Sequence, residues 1–266
     1  MGWMRWSRIG MAFMAMAPFY AKSSALVVKN DFLGTLDFHT TLYFSGPASS
    51  PQVAYDAGAE ISRLWNESQS QIFYRFRYYR ARFFISVGFY PWIPADRGSC
   101  ADNYIRVEQG DPRSSRSFYR MAGRRGTFYL SDDIGRSTTT AHEYGHGLGL
   151  DHDDLNQLTA PVPGIMFPRG TYVQSQFQWN HHAQPGAPGG SLNPKHRKVR
   201  PLDILKLDLS KLNFAFGSDC LGEGLPMPSR LAQTLPLHPP APAQLELERT
   251  HSPDVERERY LDQFDH

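Results

Sequence analysis

His142-Glu143-Tyr144-Gly145-His146-Gly147-Leu148-Gly149-Leu150-Asp151-His152 decides how this chain is read. Side chains four residues apart on a helix lie one above the other on the same face. His142 and His146 can therefore each aim a ring nitrogen at one ion, at a typical Zn–N distance of about 2.0–2.1 Å. Glu143 sits one position round the helix, badly placed to join that chelate and well placed to reach a water beside it. A helix continuing past His146 would carry the chain away from the ion. Gly149 can take the left-handed conformation that ends a helix without a Cβ clash, and His152 then arrives from another direction. Three imidazoles with a fourth position open to water describe a catalytic rather than a closed structural zinc site. The stretch reads as that of a metal-assisted hydrolase. A bare His-x-x-x-His pair is common on solvated or core helices; Glu143, Gly149 and His152 in register lift this one above coincidence.

His142 to His152 matches every fixed position of the metzincin signature. The chain resembles that family of zinc metalloproteases over roughly Thr127 to Tyr172, and more loosely across the rest of a catalytic domain. Metzincins carry a Met-turn beneath the ligands. Gly164-Ile165-Met166-Phe167-Pro168 follows at a suitable distance and offers Met166, among eight methionines, for that role. Methionine is a soft, adaptable filler suited to packing beneath a rigid platform. Met166-Phe167-Pro168 followed by Tyr172 looks like the Met-Tyr-Pro-x-Tyr segment of matrixins, with the tyrosine two positions late. By that likeness Pro168 and Tyr172 wall the pocket for the side chain after the scissile bond. Asp153 stands where matrixins usually carry serine, which is more like the adamalysins. No tyrosine stands two residues after Met166, so the extra tyrosine ligand of astacins and serralysins is not expected. The subfamily stays open.

The resemblance implies an α+β, zincin-like catalytic domain: a twisted mixed sheet, an active-site helix and a smaller C-terminal subdomain. It implies one catalytic Zn2+ on His142, His146 and His152, Glu143 as general base, and a polypeptide substrate. Two other readings use the same residues: a catalytically silent, zinc-containing peptide-binding module, and a hydrolase of a small amide.

The chain has 266 residues, 41% hydrophobic and 20% charged, with a net charge of +2. That is globular composition with room for one sizeable domain, and it gives no reason to expect a nucleic-acid partner. No apolar run reaches the roughly 18 residues that span a bilayer, so stable membrane insertion is not expected, and the chain is expected to be a monomer. Arg5 and Arg8 precede an apolar run from Ile9 to Ala17, with small residues at Ser23, Ser24 and Ala25. This is the pattern of a leader over residues 1–25, cleaved at Ala21 or Ala25, and it predicts export to the periplasm or beyond the cell. Two cysteines, Cys100 and Cys220, fit export, where such residues commonly pair. Free buried thiols, or a thiolate latched onto the metal, are the competing readings of that pair.

Along the chain, Val27 to Phe44 reads as a first strand and Gln52 to Trp65 as a helix through Val53, Ala57, Ile61 and Leu64. In the aromatic stretch Ile72 to Tyr90, Ile72, Tyr74, Phe76 and Tyr78 share one face and Arg75 and Arg77 the other. Phe83, Ile85, Val87 and Phe89 alternate in its second half. The phase slips at Arg80 to Arg82, predicting two strands or one bulged strand. Arginines interleaved with aromatics could also stack on single-stranded nucleic acid. An amphipathic sheet whose arginine stems cover one face is the better reading, because no wider basic patch accompanies the run. Asp102 to Glu108 is a further strand, Arg113 to Arg125 an exposed loop, and Thr127 to Leu130 the last strand before the zinc helix. Ser137 or Thr138 can cap that helix, which runs to about Leu148. By the metzincin likeness, the strand just ahead of the last one forms the cleft edge, on which an extended peptide pairs. Arg169 to Arg200 reads as loop, with His181, His182 and His196 lacking ligand spacing. Pro201 starts a helix that packs Leu202, Leu205, Leu209 and Leu212. The domain is placed at 26–220. The last 46 residues hold seven prolines and eight acidic against four basic side chains, and 221–266 is expected to be a disordered tail.

Overall fold

Two runs of β-branched and aromatic residues open the fold as a hairpin, β1 (Ala25–Asn30) and β2 (Thr35–Ser45), with Leu26 opposite His39. The single strand expected over Val27 to Phe44 is therefore two. Asn30 accepts from the Leu33 amide at 2.9 Å and Gly34 takes a φ of 64°, which together reverse the chain; Asn and Gly do this in turns for those two reasons. The computed structural model describes residues 24–92, 98–153 and 161–221. The expected leader lies outside the described residues except for Ser24 and Ala25, and the expected tail lies outside them beyond Leu221.

Helix α1 (Pro51–Glu67) starts where Ser50 accepts from the Val53 amide and proline stands in the first turn. It turns Ala54, Ala57, Ile61, Leu64 and Trp65 into the core. A second hairpin follows, β3 (Gln71–Tyr74) and β4 (Arg77–Phe89). The break falls at Arg75-Phe76 and not at Arg80 to Arg82. Both turn residues are left-handed, with φ of 42° and 71°. A two-residue loop of that kind matches the twist of its strands, but is usually signalled by Asn-Gly, so arginine and phenylalanine hid it. Across the turn Ile72 and Tyr74, then Tyr79, Ala81 and Phe83, face inward, while Phe76 and Tyr78 are exposed.

The remaining elements are β5 (Asp102–Glu108), β6 (Phe118–Tyr119), β7 (Arg125–Tyr129), α2 (Thr139–Gly147), α3 (Pro201–Leu205) and β8 (Ser218–Leu221). They complete a mixed α+β fold around one curled sheet of order β3-β4-β2-β5-β7-β6, to which β1 adds beside β2 and β8 beside β1. Strand β2 runs parallel to β4 and β5, and β5 parallel to β7. Its length lets it serve two neighbours on one edge, β1 through Thr35 to His39 and β5 through Thr41 to Ser45. Leu36, Phe38, Leu42 and Phe44 of β2 meet Ile61 and Trp65 of α1 and Ile105, Val107 and Phe128 of the next strands in the main core. Each such side chain contributes roughly 1.5–3 kcal/mol by leaving water.

Three expectations are corrected here. The run read as loop over Arg113 to Arg125 contains β6, antiparallel to β7 at the end of the strand order. β5, the strand expected at the cleft edge, lies inside the sheet between β2 and β7. The C-terminal helix is five residues long, with Leu202 and Leu205 exposed and Ile204, Leu207, Leu209 and Leu212 buried. Beyond Lys206 the chain is no longer helical, so its inward residues fall at alternate positions, 207 and 209. β8, which was not expected, pairs with β1 and sets Cys220 opposite Leu26. Cys220 is disulfide-bonded to Cys100 across a Cα–Cα distance of 5.9 Å, so the free-thiol and latch readings of the cysteines give way. Between the metal stretch and α3, Phe167, Val173 and Leu192 form a small second apolar cluster with Phe177.

Candidate metal centre

Helix α2 is buried along its whole length. Trp65 of α1 donates its indole N–H to the Ala141 carbonyl at 3.1 Å, and the Tyr144 hydroxyl meets Thr40 Oγ1 of β2 at 2.9 Å. At its C-terminal end, Ser24 donates to the Gly147 carbonyl at 2.6 Å. Thr138 is the N-cap residue, as expected, but its hydroxyl donates to the Pro194 carbonyl and caps nothing. The close approach of α2 to the segment beneath it depends on Gly145. A Cβ there would stand 2.4 Å from the sulfur of Met166. Met166 is fully buried.

Past Gly147 the chain does what the glycine spacing demands. Gly149 has a φ of 94°, its amide bonds the His146 carbonyl, and the Leu150 amide bonds the Gly145 carbonyl. This turns His152 back toward the helix. The Nε2 of His152 lies 3.1 Å from Nε2 of His142 and 3.1 Å from Nε2 of His146. Two nitrogens at ~2.0–2.1 Å from a tetrahedral ion stand ~3.3 Å apart, so the spacing suits one ion held by all three.

The protons support the same conclusion. His142 Nδ1 lies 2.6 Å from the Ile165 carbonyl and His146 Nδ1 lies 2.8 Å from the Leu150 carbonyl. A carbonyl can only accept, so both Nδ1 atoms carry the hydrogen and both Nε2 atoms present a lone pair. Fixing the far nitrogen is how proteins orient a ligating imidazole. Burial, aided by the positive charge of Arg197 and the other imidazoles, pushes His142 well below the usual histidine range. Burial also lowers His146 and His152. All three rings are therefore biased towards the neutral form at neutral pH. His142, His146 and His152 thus form a three-histidine group that could hold a metal ion.

Glu143 is 7% exposed. Burial raises its carboxyl from 4.5 to about 8, against the opposing pull of Arg197 and of a backbone hydrogen bond from Tyr119 in β6. That contact sets the edge strand beside the carboxylate. His152 is held through its neighbour. The Asp153 amide donates to the Met166 carbonyl at 3.1 Å, and the Asp153 carboxylate meets Arg200 at 2.7 Å and also Lys206.

Sequence reasoning missed a cluster of charges behind the helix. Arg197 is 2% exposed, with its Nε unpartnered. The Lys198 amide bonds the Pro163 carbonyl, and Thr138 bonds Pro194, so its segment is clamped between the start of α2 and the turn that carries Met166. Burial brings Arg197 down to about 9, while Glu143, Glu60 and Asp132 hold it up. Glu60 of α1 is buried and accepts from the Ala141 amide at 3.1 Å; Asp132 is ion-paired to Arg169 at 2.8 Å. Lys195-His196-Arg197-Lys198 reads in sequence as a solvated basic run, so nothing marked Arg197 as buried. Pro168 is half-buried, its carbonyl accepting from the Thr171 hydroxyl, and Tyr172 is 38% exposed with its hydroxyl beside Gly186. Their interactions do not include the histidines. His181 and His182 are exposed, and His196 stacks edge-on with Phe177.

No protein-family model and no curated relative matches the chain. Among solved structures, that of myroilysin aligns with 71% of this chain and 99% of its own, at 11% identity and a TM-score of 0.34, a likeness too loose to carry an assignment of fold.

Proposed function

We propose that the chain is a zinc-dependent endopeptidase of metzincin type, with Glu143 as its general base. The observation that carries this reading is the convergence of three imidazoles, with His152 Nε2 3.1 Å from Nε2 of each of the other two, beside a buried carboxyl that takes no part in the cluster. His142, His146 and His152 would hold the ion. A bound Zn2+ supplies Lewis acidity, polarising the scissile carbonyl and lowering the pKa of a coordinated water to about 7. Glu143 accepts the proton of the attacking water and passes it to the leaving amine as the C–N bond breaks. Its raised affinity for protons suits both steps. Burial of α2 on the sheet keeps bulk water from the back of the cleft. β6, beside Glu143 at the sheet edge, is the strand on which an extended peptide would pair.

Pro168 and Tyr172 are proposed as walls of the pocket for the residue after the scissile bond, and Met166 as the Met-turn residue. The leader is proposed to end before Ser24, because Ser24 and Ala25 are built into the fold.

The deciding experiment is hydrolysis of a quenched peptide library by the zinc-loaded protein, its Glu143→Gln variant and the chelated protein. The variant should keep stoichiometric zinc and lose at least ~100-fold in kcat. Zinc binding without turnover in the unaltered protein would leave a peptide-binding module, and turnover confined to small amides would leave the third reading.

A further inference from the structure

A separate group of arginines, Arg75, Arg77, Arg80 and Arg82, stands on and just before β4 at one end of the sheet. β2 and β4 run parallel, and each begins directly after its hairpin turn, so the turns at 31–34 and 75–76 lie side by side at one end of the sheet. The Arg80 amide bonds the Gly34 carbonyl at 2.9 Å, and the Tyr79 hydroxyl donates to Asp31 at 2.6 Å, tying the two together. From them project Phe32, 95% exposed, and Phe76, 96% exposed, with Leu33, Phe73 and Tyr78 more than half exposed behind. Asp31 and Asp37 are taken up by Lys29 and Arg82 at 2.5 Å each. Arg75, Arg77 and Arg80 form no close ion pair among the described residues; Arg77 acts on Asp31 from a distance, and Arg75 donates to the Leu212 carbonyl at 3.4 Å. A cavity of about 400 Å³ opens between the turn at 31–34 and the outer face of β3 and β4, with Leu33, Tyr78, Arg80 and Arg82 in its lining.

The backbone supplies a separate observation. Phe76 holds a φ of 71°, a conformation that suits glycine or asparagine. A bulky residue there strains the turn, and its ring goes entirely into water. Neither feature helps the fold. The other end of β1 adjoins Ser24 and the end of α2, so the aromatic tips stand about one strand length, ~20 Å, from that helix end.

We propose that these paired turns dock the protein on an anionic lipid surface. Phe32 and Phe76 enter the boundary between headgroups and acyl chains, Leu33 and Tyr78 lie at the interface, and Arg75, Arg77 and Arg80 pair with phosphates. The cavity beside Arg80 and Arg82 takes one headgroup. Exposed apolar residues ringed by cations are what an interfacial anchor needs. Single-stranded nucleic acid fits less well, because bases stack along a continuous groove, whereas these aromatics stand on two convex tips. The inference is independent of the metal centre.

The test is sedimentation of the purified protein with vesicles of phosphatidylcholine alone and of phosphatidylcholine mixed with phosphatidylglycerol, at low and high salt. Binding is expected on the anionic vesicles, lost in high salt and absent on phosphatidylcholine. Phe32→Ser with Phe76→Gly should cut partitioning at least ~10-fold. The fold should survive, since glycine suits the turn, and circular dichroism checks it. Arg77→Ser and Arg80→Ser should each cost about five-fold. Three outcomes would overturn the proposal: no sedimentation with anionic vesicles, undiminished binding by the folded double variant, or tighter binding to a single-stranded oligonucleotide that the double variant abolishes.

Discussion

The guanidinium of Arg200 meets the carboxylate of Asp153 at 2.7 Å, and Asp153 directly follows the third histidine. Arg200 also grips Asp203 through its backbone amide and side chain, and it lies 4.8 Å from the ring centre of Phe167, beside Met166. One arginine thus ties the histidine turn to α3 and to the segment under the metal cluster. The Asp153 side chain is 8% exposed and that of Asp203 fully buried. Arg200→Met leaves two buried carboxylates short of a cation. Stability should fall by about 3 kcal/mol, the low end for breaking a buried pair because Lys206 remains on Asp153. Zinc affinity should drop ~10–100-fold as His152 loses its fixed approach. Thermal unfolding and chelator competition measure the two effects, and unchanged zinc affinity in a folded variant would count against the role.

Gly145 and Met166 form a second dependency. An alanine at 145 would put its Cβ 2.4 Å from Met166 Sδ and 3.3 Å from Trp65 Cζ2. The tryptophan cannot retreat, since its indole N–H is bound to the Ala141 carbonyl. Gly145→Ala should cost about 1–3 kcal/mol by overpacking. Met166→Ala alone should cost about 2–5 kcal/mol by leaving a cavity. Because each change relieves the other, the double variant should be more stable than the sum of the two by at least ~0.5 kcal/mol. Additive losses would show that the two residues do not press on each other.

Why the metal cluster was legible while its surroundings were not follows from where the information sits. His142, His146, Gly149 and His152 act through local spacing, and helical geometry converts spacing into position. Met166 follows that stretch closely between turn residues and lies against Gly145 within it. Arg197, Glu60 and Asp132 come together through long-range packing, and their neighbours in sequence look like solvated surface. A turn and a strand were misread because neither carries a local signal. Arg75-Phe76 adopts a left-handed pair with none of the residues that favour it. β6 is two residues long and carries no readable alternation. Of the leucines after Pro201, Leu209 and Leu212 are buried as expected, but Leu202 and Leu205 are exposed, because a three- to four-residue spacing does not continue past the point where the helix stops and so does not hold the two pairs on one face.

Proton bookkeeping distinguishes Glu143 from the three histidines. The histidines are pushed below their usual range, towards the neutral form, whereas Glu143, raised to about 8, holds its proton in the metal-free protein at neutral pH. A divalent cation nearby reverses the preference of the carboxyl and expels that proton. Calorimetric titration with zinc in buffers of differing ionisation enthalpy should show the parent releasing about one proton more than Glu143→Gln. Equal release by both would rule out the raised carboxyl. Stability of the metal-free protein follows the same sign. The folded state retains a proton that the unfolded chain gives up above about pH 4.5, so the contribution of Glu143 is full below that value and is lost as pH rises through about 8.

Arg197 invites the opposite expectation from most buried cations. It is 2% exposed, its Nε has no partner, and burial outweighs the carboxylates that favour its charge. Its positive charge depresses the three histidines and also Glu143. Arg197→Met keeps much of the aliphatic length and removes an unsatisfied buried charge, so folding stability should stay level or rise by about 1 kcal/mol. Removing that charge leaves Glu143 with a still higher proton affinity. The acid limb of the pH–rate profile should therefore move to higher pH, while zinc binds more tightly because one repelling charge has gone. A variant that loses stability and shows an unmoved acid limb would make Arg197 a structural ion partner, with no influence on the base.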